Sequence, residues 1–252
     1  MTLPLSQQGE HLPLLRKLES IADLSDEEKQ AILNLPVNVR VIEADTDIVR
    51  DGDRPAECCL ILDGFTCRYK LLPDGTRQIT GFYIPGDIPD LQSLFLHTLD
   101  NSLGTFVKTR VAMIPHQILR DLFRRNPRIA EIFWRDSLIE AAIFREWMVG
   151  LGRRSAYQRM AHLLCELQMR LRAVGLAQES GYDLPLTQNE IGDALGLSTV
   201  HVNRVLQDLR NDGLVVLRAG ALTILDWEGL KSAAEFDLTY LHLDSDPEDR
   251  QV

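Results

Sequence analysis

Two hydrophobic patterns divide the chain into a strand-rich region and helical regions. Residues 37–114 contain short runs rich in Val, Ile, Phe and Tyr, which alternate with Gly, Pro and Asp. Such runs predict β-strands, and the turn at 73–76 between two of them predicts a hairpin. Many short strands at close spacing predict a sandwich or a barrel. Residues 12–35 are predicted helical, and Ser25 and Glu28 form a capping box for the second part of that segment.

A short helix at 116–125 and then a long helix are predicted after the strands. Pro127 opens the long helix, because proline suits the first helical turn. Its apolar surface is wider than one neighbour requires, so we predict that it pairs with a second copy of itself; the alternative is burial within one subunit. The predicted interface residues share one stripe of the helix and are Ile132, Ile139 and Ile143.

The pattern changes again after the long helix. Gly150 and Gly152 predict a break that could act as a hinge, and a new helix is predicted at roughly 155–173. Residues 184–225 then follow the order helix, turn, helix and hairpin. The last ten residues, 243–252, are predicted to be disordered.

The stretch TQNEIGDALGLSTVHVNRVLQDLR has the features of a helix-turn-helix. Thr187 and Glu190 form a capping box, Gly196 ends the first helix, and Ser198 caps the second. The second helix buries one side, which consists of Val202, Val205, Leu206 and Leu209.

The opposite side of the second helix carries residues suited to contacts with DNA bases. Arginine can bond to guanine and asparagine to adenine, while Val or a Thr methyl group can touch a thymine methyl. After this helix, two strands turned at Ala219-Gly220 predict a wing with Arg218 near its tip. A helical hairpin in a structural domain is the alternative, but the spacing, turn and wing together favour DNA. The predicted DNA-binding residues are Thr187, Ser198, Thr199, Val200, His201, Asn203, Arg204 and Arg218.

The net charge of −10 changes this interpretation little once it is divided along the chain. Residues 1–150 carry 17 basic and 22 acidic side chains, and 221–252 carry 2 basic and 8 acidic ones. Residues 151–220, which contain the helix-turn-helix, carry 8 basic and 7 acidic side chains and are therefore the one segment of the three that is not acidic. Overall charge bears on solubility and not on a local patch, so DNA binding remains possible.

These motifs resemble the Crp–Fnr superfamily of bacterial transcription regulators. The helix-turn-helix with its wing and the segment SAYQRMAHLLCEL carry the resemblance most strongly, and the segment ILDGFTCRYKLLPDGTRQITGFYIPGD is similar to the family's sensor roll. The resemblance implies an α+β fold: an N-terminal β-roll, double-stranded, antiparallel and jelly-roll-like, then a long dimerisation helix and a C-terminal winged helix-turn-helix. It also implies a homodimer on a two-fold symmetric double-stranded DNA site, with RNA polymerase as a partner. Arg204 matches the family's base-contacting arginine, whereas Thr199 and Val200 stand where other branches carry Arg or Glu.

The expected domains follow from this resemblance. They are a cyclic-nucleotide-binding-like sensor at 1–126, the dimerisation helix and hinge at 127–152, the DNA-binding domain at 153–230 and an acidic extension at 231–252.

The sensor segment departs from the family's cyclic-nucleotide members. They are expected to carry a Gly-Glu pair and, about ten residues later, an arginine that holds the phosphate; here the pair is Gly86-Asp87. Residues 88–107 contain no Arg or Lys, and His97 is their one possible cation. A buried cyclic phosphate would lack its counter-charge, so we expect that cyclic AMP is not the effector. Gly86 and Asp87 remain the candidate effector-pocket residues, the effector itself is unknown, and no cofactor is predicted.

The positions of the cysteines do not indicate a redox or metal site. None lies in residues 1–57, where the oxygen-sensing branch carries its iron–sulfur ligands. Cys58, Cys59 and Cys67 are interpreted as small buried hydrophobes, and the alternative is a redox- or haem-responsive sensor in which His97 or a cysteine binds the haem. The histidines show no metal-ligand spacing, so no metal site is predicted.

The remaining function classes have little support in the sequence. The chain lacks G-x-S-x-G, a P-loop and a zinc-hydrolase motif, so we expect no enzyme. A scaffold whose helix-turn-helix binds protein is a further alternative. No long apolar run and no signal peptide are found, so we expect a cytoplasmic protein that does not contact the membrane.

Overall fold

The computed structural model describes residues 11–243 and divides into two compact units. The N-terminal unit contains Met1–Pro73 with Thr80–Leu138, and the C-terminal unit contains Asp74–Ile79 with Ile139–Val252. The disorder predicted at 243–252 falls, from residue 244 onward, outside the described residues.

The N-terminal unit begins with two short helices where the sequence predicted one helical segment. They are α1 (Leu12–Glu19) and α2 (Asp26–Leu33). The capping box predicted for α2 is confirmed, because the Glu28 backbone N–H donates to Ser25 Oγ at 3.3 Å and the Ser25 N–H donates to Glu28 Oε2 at 2.8 Å. A cap fixes a helix start locally, so sequence alone was sufficient to find it.

Two antiparallel sheets follow, as the predicted β-roll requires. One sheet has the strand order β1-β7-β3 and the other β2-β6-β4-β5. Gly75, with φ of +85°, lies in the tight turn of the predicted hairpin between β4 and β5. Their bounds are β1 (Asn38–Ile42), β2 (Asp47–Val49), β3 (Glu57–Asp63), β4 (Thr66–Leu71), β5 (Arg77–Tyr83), β6 (Ser102–Thr105) and β7 (Thr109–Pro115).

The interior of the roll is apolar and includes the thiols of the strands. Phe82 packs between Phe65 and Phe106, with ring centroids 6.0 and 5.8 Å apart. Cys59 lies in a buried cluster with Ile61 and Val111, among others. All four cysteines are reduced and buried, which fits their interpretation as small core residues.

Helices α3 (His116–Arg125) and α4 (Pro127–Arg153) follow the roll. The break predicted at Gly150 and Gly152 is wrong, because α4 continues through both glycines to Arg153. Glycine weakens a helix but does not stop it, and here the boundary is set by the next cap. Ser155 Oγ accepts the Gln158 N–H at 3.2 Å and so starts α5.

The C-terminal unit is a helical domain with a small antiparallel sheet of order β10-β11-β9-β8. Two of its strands, β8 and β9, are two and three residues long and had no signal in the sequence pattern. The elements are α5 (Ala156–Ala173), β8 (Ala177–Gln178), β9 (Gly181–Asp183), α6 (Gln188–Leu195), α7 (Thr199–Asn211), β10 (Val215–Arg218), β11 (Ala221–Ile224), α8 (Trp227–Ala234) and a 3₁₀ turn (Leu238–Leu241).

A buried carboxylate ties the end of the described chain to this domain. Glu166 on α5 is fully buried and accepts hydrogen bonds from Trp147 Nε1 and Tyr240 Oη, both at 3.0 Å, and from Arg170 Nη1 at 3.2 Å. Helix α8 also crosses the boundary between residues 230 and 231, where the acidic extension was predicted to begin. Residues 231–241 are therefore part of the folded domain, and the position of Tyr240 against α5 depends on contacts distant in sequence.

Candidate nucleic-acid interface

The first helix of the predicted motif, α6, begins and ends as its sequence indicates. The Glu190 N–H donates to Thr187 Oγ1 at 3.3 Å, and the Thr187 N–H donates to Glu190 Oε2 at 2.6 Å. Gly196 follows α6 with φ of +64° and ψ of +41°, the left-handed conformation that glycine adopts without strain. Thr187 is exposed, but its hydroxyl already serves the cap.

The turn between α6 and α7 depends on a glycine that the sequence analysis overlooked. The Leu197 N–H donates to the Gly192 carbonyl at 3.0 Å. A Cβ on Gly192 would lie 2.5 Å from the Leu197 carbonyl oxygen, a distance that a real Cβ does not reach. The clue in the sequence was a glycine in mid-helix, four residues before the glycine that ends it.

Helix α7 presents the predicted surface. Ser198 Oγ accepts the His201 N–H at 3.3 Å, while Val202, Val205 and Leu209 are buried. The opposite side is open to solvent, and Val200 has 81% of its surface exposed. The exposed residues of this side include Thr199, Val200, Asn203 and Arg204, whereas His201 and Leu206 are half-buried.

The polar side chains of this surface have few partners within the protein. An ion pair between Arg204 and Asp208 was the competing explanation for Arg204, and among the described residues Arg204 forms no ion pair at all. Asn203 Nδ2 lies 3.4 Å from Gln188 Oε1, so Gln188 of α6 borders the same surface. Arg204 therefore retains the donors that could bind guanine or a phosphate.

The wing has the geometry of a two-residue hairpin. Arg218 pairs with Ala221 across the ends of β10 and β11. Ala219 and Gly220 form the turn with φ of +48° and +78°, and two positive values in succession mark a type I′ turn. Arg218 is exposed at its edge. A guanidinium at a loop tip can contact the DNA backbone without reading sequence.

The apolar stripe predicted for dimerisation needs a correction. Ile132 and Ile139 are each only 5% exposed in the single chain, and Ile143 is half-buried, so these isoleucines already pack within it. The sequence could not distinguish two apolar stripes on one helix. A second stripe of α4 is open to solvent and consists of Trp134, Leu138, Phe144 and Met148, which are 69%, 57%, 48% and 60% exposed; we name it the outer stripe.

The candidate effector residues Gly86 and Asp87 are covered by α1. Lys17 Nζ donates to Asp87 Oδ1 at 2.6 Å, and the Ile84 N–H donates to Asp87 Oδ2 at 2.9 Å. A Cβ on Gly86 would lie 2.6 Å from the Pro13 carbonyl oxygen. Both residues thus hold α1 against the roll.

Two arginines from other elements reach residues 88–107, which themselves contain no Arg or Lys. Arg68 of β4 donates to the Pro89 carbonyl, lies 3.5 Å from Gln92 Oε1 and stands over the Tyr83 ring at 5.0 Å. Arg120 of α3 donates to the Leu94 carbonyl at 2.7 Å. His97 is therefore not the one cation near this segment, because arginines from other elements reach it.

Burial governs the chemistry of the thiols. It raises the pKa of Cys58 and Cys59 far above the usual thiol range, with the neighbouring Asp90 acting in the same direction. Burial likewise raises the pKa of Cys165 to about 12. A thiol that stays protonated is a poor nucleophile and a poor metal ligand. In the described part of the chain, no three His, Cys, Asp or Glu side chains form a group that could hold a metal ion.

None of the helices described between residues 11 and 243 combines the length and hydrophobicity that a membrane crossing requires.

Two protein families match separate parts of the chain. Residues 39–126 match the cyclic nucleotide-binding domain, and residues 158–233 match the Crp-like helix-turn-helix domain. These segments coincide with the β-roll with α3 and with the domain that contains α6 and α7.

Curated relatives and a solved structure extend the match. The chain is 31% identical over 167 residues to the nitrogen fixation regulation protein FixK of Bradyrhizobium diazoefficiens, which covers 66% of this chain and 69% of that protein. It is 28% identical over 179 residues to the transcriptional activator protein Anr of Pseudomonas aeruginosa, covering 71% and 73%. The structure of FixK2 from Bradyrhizobium japonicum superposes with a TM-score of 0.72 at 26% identity and covers 79% of this chain and 98% of that one.

Proposed function

The chain belongs to the Crp–Fnr superfamily and is a DNA-binding transcription regulator, and from this premise we propose that it acts as a homodimer whose two α7 helices read a two-fold symmetric site. Such a regulator acts on the chromosome, so a cytoplasmic location is part of the proposal. Its relatives are regulators and not enzymes, and no catalytic role is proposed.

One observation carries the base-reading role of α7. Arg204 and Val200 are exposed on the first turns of a helix whose opposite side is buried, and Arg204 forms no ion pair in the described chain. The N-terminal end of the second helix is the part that meets base edges in the major groove. We therefore assign base contacts to Thr199, Val200, Asn203 and Arg204, and phosphate contacts to Thr187, Ser198, His201 and Arg218.

The test begins by selecting genomic fragments that the purified protein retains, which yields the specific site. Arg204→Ala should then weaken that site by about 1–3 kcal/mol per half-site, because a bidentate base contact is lost. Binding to random DNA should change far less, and the melting temperature should stay nearly constant. Arg172→Ala removes another exposed arginine of the same domain and is the matched control. Equal affinity of Arg204→Ala and the parent at one salt concentration would refute the assignment.

A variant of Arg218 tests the proposed phosphate contacts separately from the base contacts. Because it would neutralise a phosphate, Arg218→Ala should weaken specific and random DNA alike and reduce the salt dependence of binding. An effect confined to the specific site would instead make Arg218 a base-reading residue.

The outer stripe supports the dimer. Four large apolar side chains exposed on one helix are unusual unless another surface covers them. Leu138→Glu with Met148→Glu should yield monomers by light scattering and abolish specific binding. Leu71→Glu with Leu72→Glu, a pair 61% and 50% exposed outside the helix, should leave the dimer intact. A dimeric Leu138 and Met148 variant would disprove the role of the stripe. Ile132 and Ile139 are unsuitable for this test because burial would make their charged variants unfold.

We also propose that cyclic AMP is not the effector. Asp87 is held by Lys17, while Arg68 and Arg120 are bonded to backbone carbonyls of the segment that would surround a nucleotide. Titration calorimetry with millimolar cyclic AMP should show no saturable heat, and a micromolar dissociation constant would disprove the proposal. An absorbance scan of freshly purified protein tests the haem alternative, since bound haem absorbs strongly in the visible range.

RNA polymerase is proposed as a partner because one of the relatives, Anr, is named a transcriptional activator. Transcription in vitro from a promoter that carries the selected site should rise when the protein is added. A fall in transcription would make the protein a repressor and remove this part of the proposal.

A further inference from the structure

Val200 is the most exposed large apolar side chain in the described part of the chain. It has 81% of its surface open to solvent, ahead of Phe95 at 71% and Trp134 at 69%. It is the second residue of α7, directly after Thr199 and two residues after the Ser198 cap. The first turn of α7 therefore presents an uncovered hydrocarbon group to solvent.

The stability of the fold does not account for a valine at this position. Val202 and Val205, on the opposite side of the same helix, are buried and contribute to the core. An exposed valine buries almost nothing, and its branched Cβ makes it a poorer helix former than alanine. A single exposed apolar residue is ordinary on a protein surface, so the meaning of Val200 depends on the residues beside it.

The neighbours of Val200 on the helix surface are polar and exposed. Residues three and four positions apart on a helix are neighbours with Cβ atoms about 5–6 Å apart, which places Asn203 and Arg204 beside Val200. Asn203 Nδ2 is 3.4 Å from Gln188 Oε1 of α6, so one donor of this amide is directed to the neighbouring helix. Two methyl groups and an exposed guanidinium therefore share one face of α7.

We propose that Val200 recognises the 5-methyl group of one thymine in each half-site. Thymine is the base that carries an apolar group at its major-groove edge, and valine has no donor or acceptor for the polar edges of the other bases. Base pairs rise about 3.4 Å each, so this thymine lies within two base pairs of the guanine contacted by Arg204. The inference rests on the proposed DNA-reading role of α7 and names the chemistry that this helix selects.

The test takes the site selected from genomic fragments and replaces its thymines by deoxyuridine, one position at a time in both half-sites. The base of deoxyuridine lacks only the 5-methyl group, so base pairing is retained. Loss of one buried methyl group should weaken binding about fourfold in each half-site, or about fifteenfold for the dimer. One thymine of each half-site should show this loss. A scan without any loss, or with losses only more than two base pairs from the guanine, would overturn the proposal.

Val200→Ala tests which side chain contacts the methyl group. Because Val200 is exposed, this variant should keep the melting temperature of the parent, and it should bind the thymine and deoxyuridine duplexes equally. Val41→Ala is the matched control, since it removes a valine that is 53% exposed on β1, outside α7, and it should keep the full difference between the duplexes. If Val200→Ala still distinguishes the two duplexes, another residue contacts the methyl group and the proposal is wrong.

Methylated cytosine provides an independent check, because it carries a 5-methyl group on a different base pair. With 5-methylcytosine in place of the thymine, binding should be about fourfold tighter per half-site than with cytosine. Equal affinity for these two duplexes would contradict recognition of the methyl group.

The proposal for Val200 and the proposed function can fail separately. Parental affinity of Arg204→Ala would refute the DNA-reading role of α7. A deoxyuridine scan without any loss, together with a weakened Arg204→Ala protein, would refute the role of Val200 alone.

Discussion

Helix α7, which we propose to contact DNA, and the segment around Gly86 use their polar side chains in opposite ways. Near Gly86, Asp87 is paired with Lys17, and Arg68 is bonded to a backbone carbonyl and stands over a tyrosine ring. On α7, Arg204 is exposed and has no ion-pair partner in the described chain. Polar groups that are satisfied internally stabilise the fold, whereas groups left exposed are available to a partner. Variants of the first region should therefore change stability, and variants of the second should change binding.

The largest expected effect is in the first region. Asp87→Asn removes the nearer of two carboxylates that face Lys17, and Asp136 Oδ1 remains 3.4 Å from Lys17 Nζ. The Asp87 and Lys17 side chains are 5% and 16% exposed. Loss of one partner of a buried pair costs about 3–5 kcal/mol. Because Asp136 still faces Lys17, the free energy of unfolding should fall by about 3 kcal/mol, the lower end of that range. Urea denaturation measures it, with Arg204→Ala as the contrasting variant that should unfold like the parent. If Asp87→Asn unfolds like the parent too, the contrast between the regions fails.

The buried His162 of α5 should make the stability of the C-terminal unit sensitive to acid. Burial lowers the pKa of His162 to about 4, Arg154 adds to that effect, and Glu146 opposes it. In the unfolded chain this histidine has its ordinary pKa of about 6.5. Between pH 6.5 and 4, His162 is therefore protonated to a greater extent in the unfolded chain than in the folded chain. Stability should therefore decline as pH falls through that window, by roughly 3 kcal/mol in total.

The measurement is the pH dependence of denaturant unfolding in the parent and in His162→Gln. Burial raises the pKa of Glu166, which acts against this slope, but Glu166 is present in both proteins and cancels in their difference. Parallel curves for the parent and His162→Gln would show that His162 is not the group responsible.

Gly192→Ala should lower both the free energy of unfolding and the affinity for specific DNA. The added methyl would force the Leu197 carbonyl away from α6, at an expected cost of about 2 kcal/mol. Since that turn orients α7, specific DNA binding should weaken as well. The control is Gly152→Ala, because a Cβ at Gly152 would meet nothing within 4 Å. Gly213→Ala is less suitable, because Gly213 has a positive φ that strains an alanine. A Gly192→Ala protein with parental stability and affinity would show that the turn relaxes freely.

The smallest expected effect is at the wing. Ala219 adopts φ of +48°, where an L-residue with a Cβ is strained, and glycine is not. Ala219→Gly should raise stability by up to about 0.5–1 kcal/mol, offset in part by the greater freedom of the unfolded chain. Thermal unfolding measures the change, and DNA affinity should stay constant because the methyl group touches no base. A marked loss of affinity would instead assign Ala219 a contact with DNA.

The features that could be predicted from sequence were those encoded within a few residues. The capping boxes at Ser25 and Thr187 and the glycine that ends α6 follow from local hydrogen bonding and backbone freedom, and all three are confirmed. The buried face of α7 was found in the same way, because helical periodicity is local. The exposed surface opposite it then followed directly.

The features that could not be predicted depend on chain segments far apart. Arg68 and Arg120 reach a segment that itself carries no Arg or Lys, and only the fold brings them there. The burial of Ile132 and Ile139 is decided by their neighbours within the chain, which a stripe on one helix does not specify. The glycines of α4 failed to break it because the cap at Ser155, and not glycine content, sets the boundary.

The hydrogen bonds to Glu166 also constrain the order in which the molecule can be made. Two of its three donors, Trp147 and Arg170, emerge from the ribosome early, but Tyr240 follows Glu166 by 74 positions. Until Tyr240 has left the exit tunnel, this buried carboxylate lacks one of its three donors, and the domain around it cannot reach its final packing. The C-terminal unit should therefore reach its native packing only after Tyr240 is available, later than the β-roll.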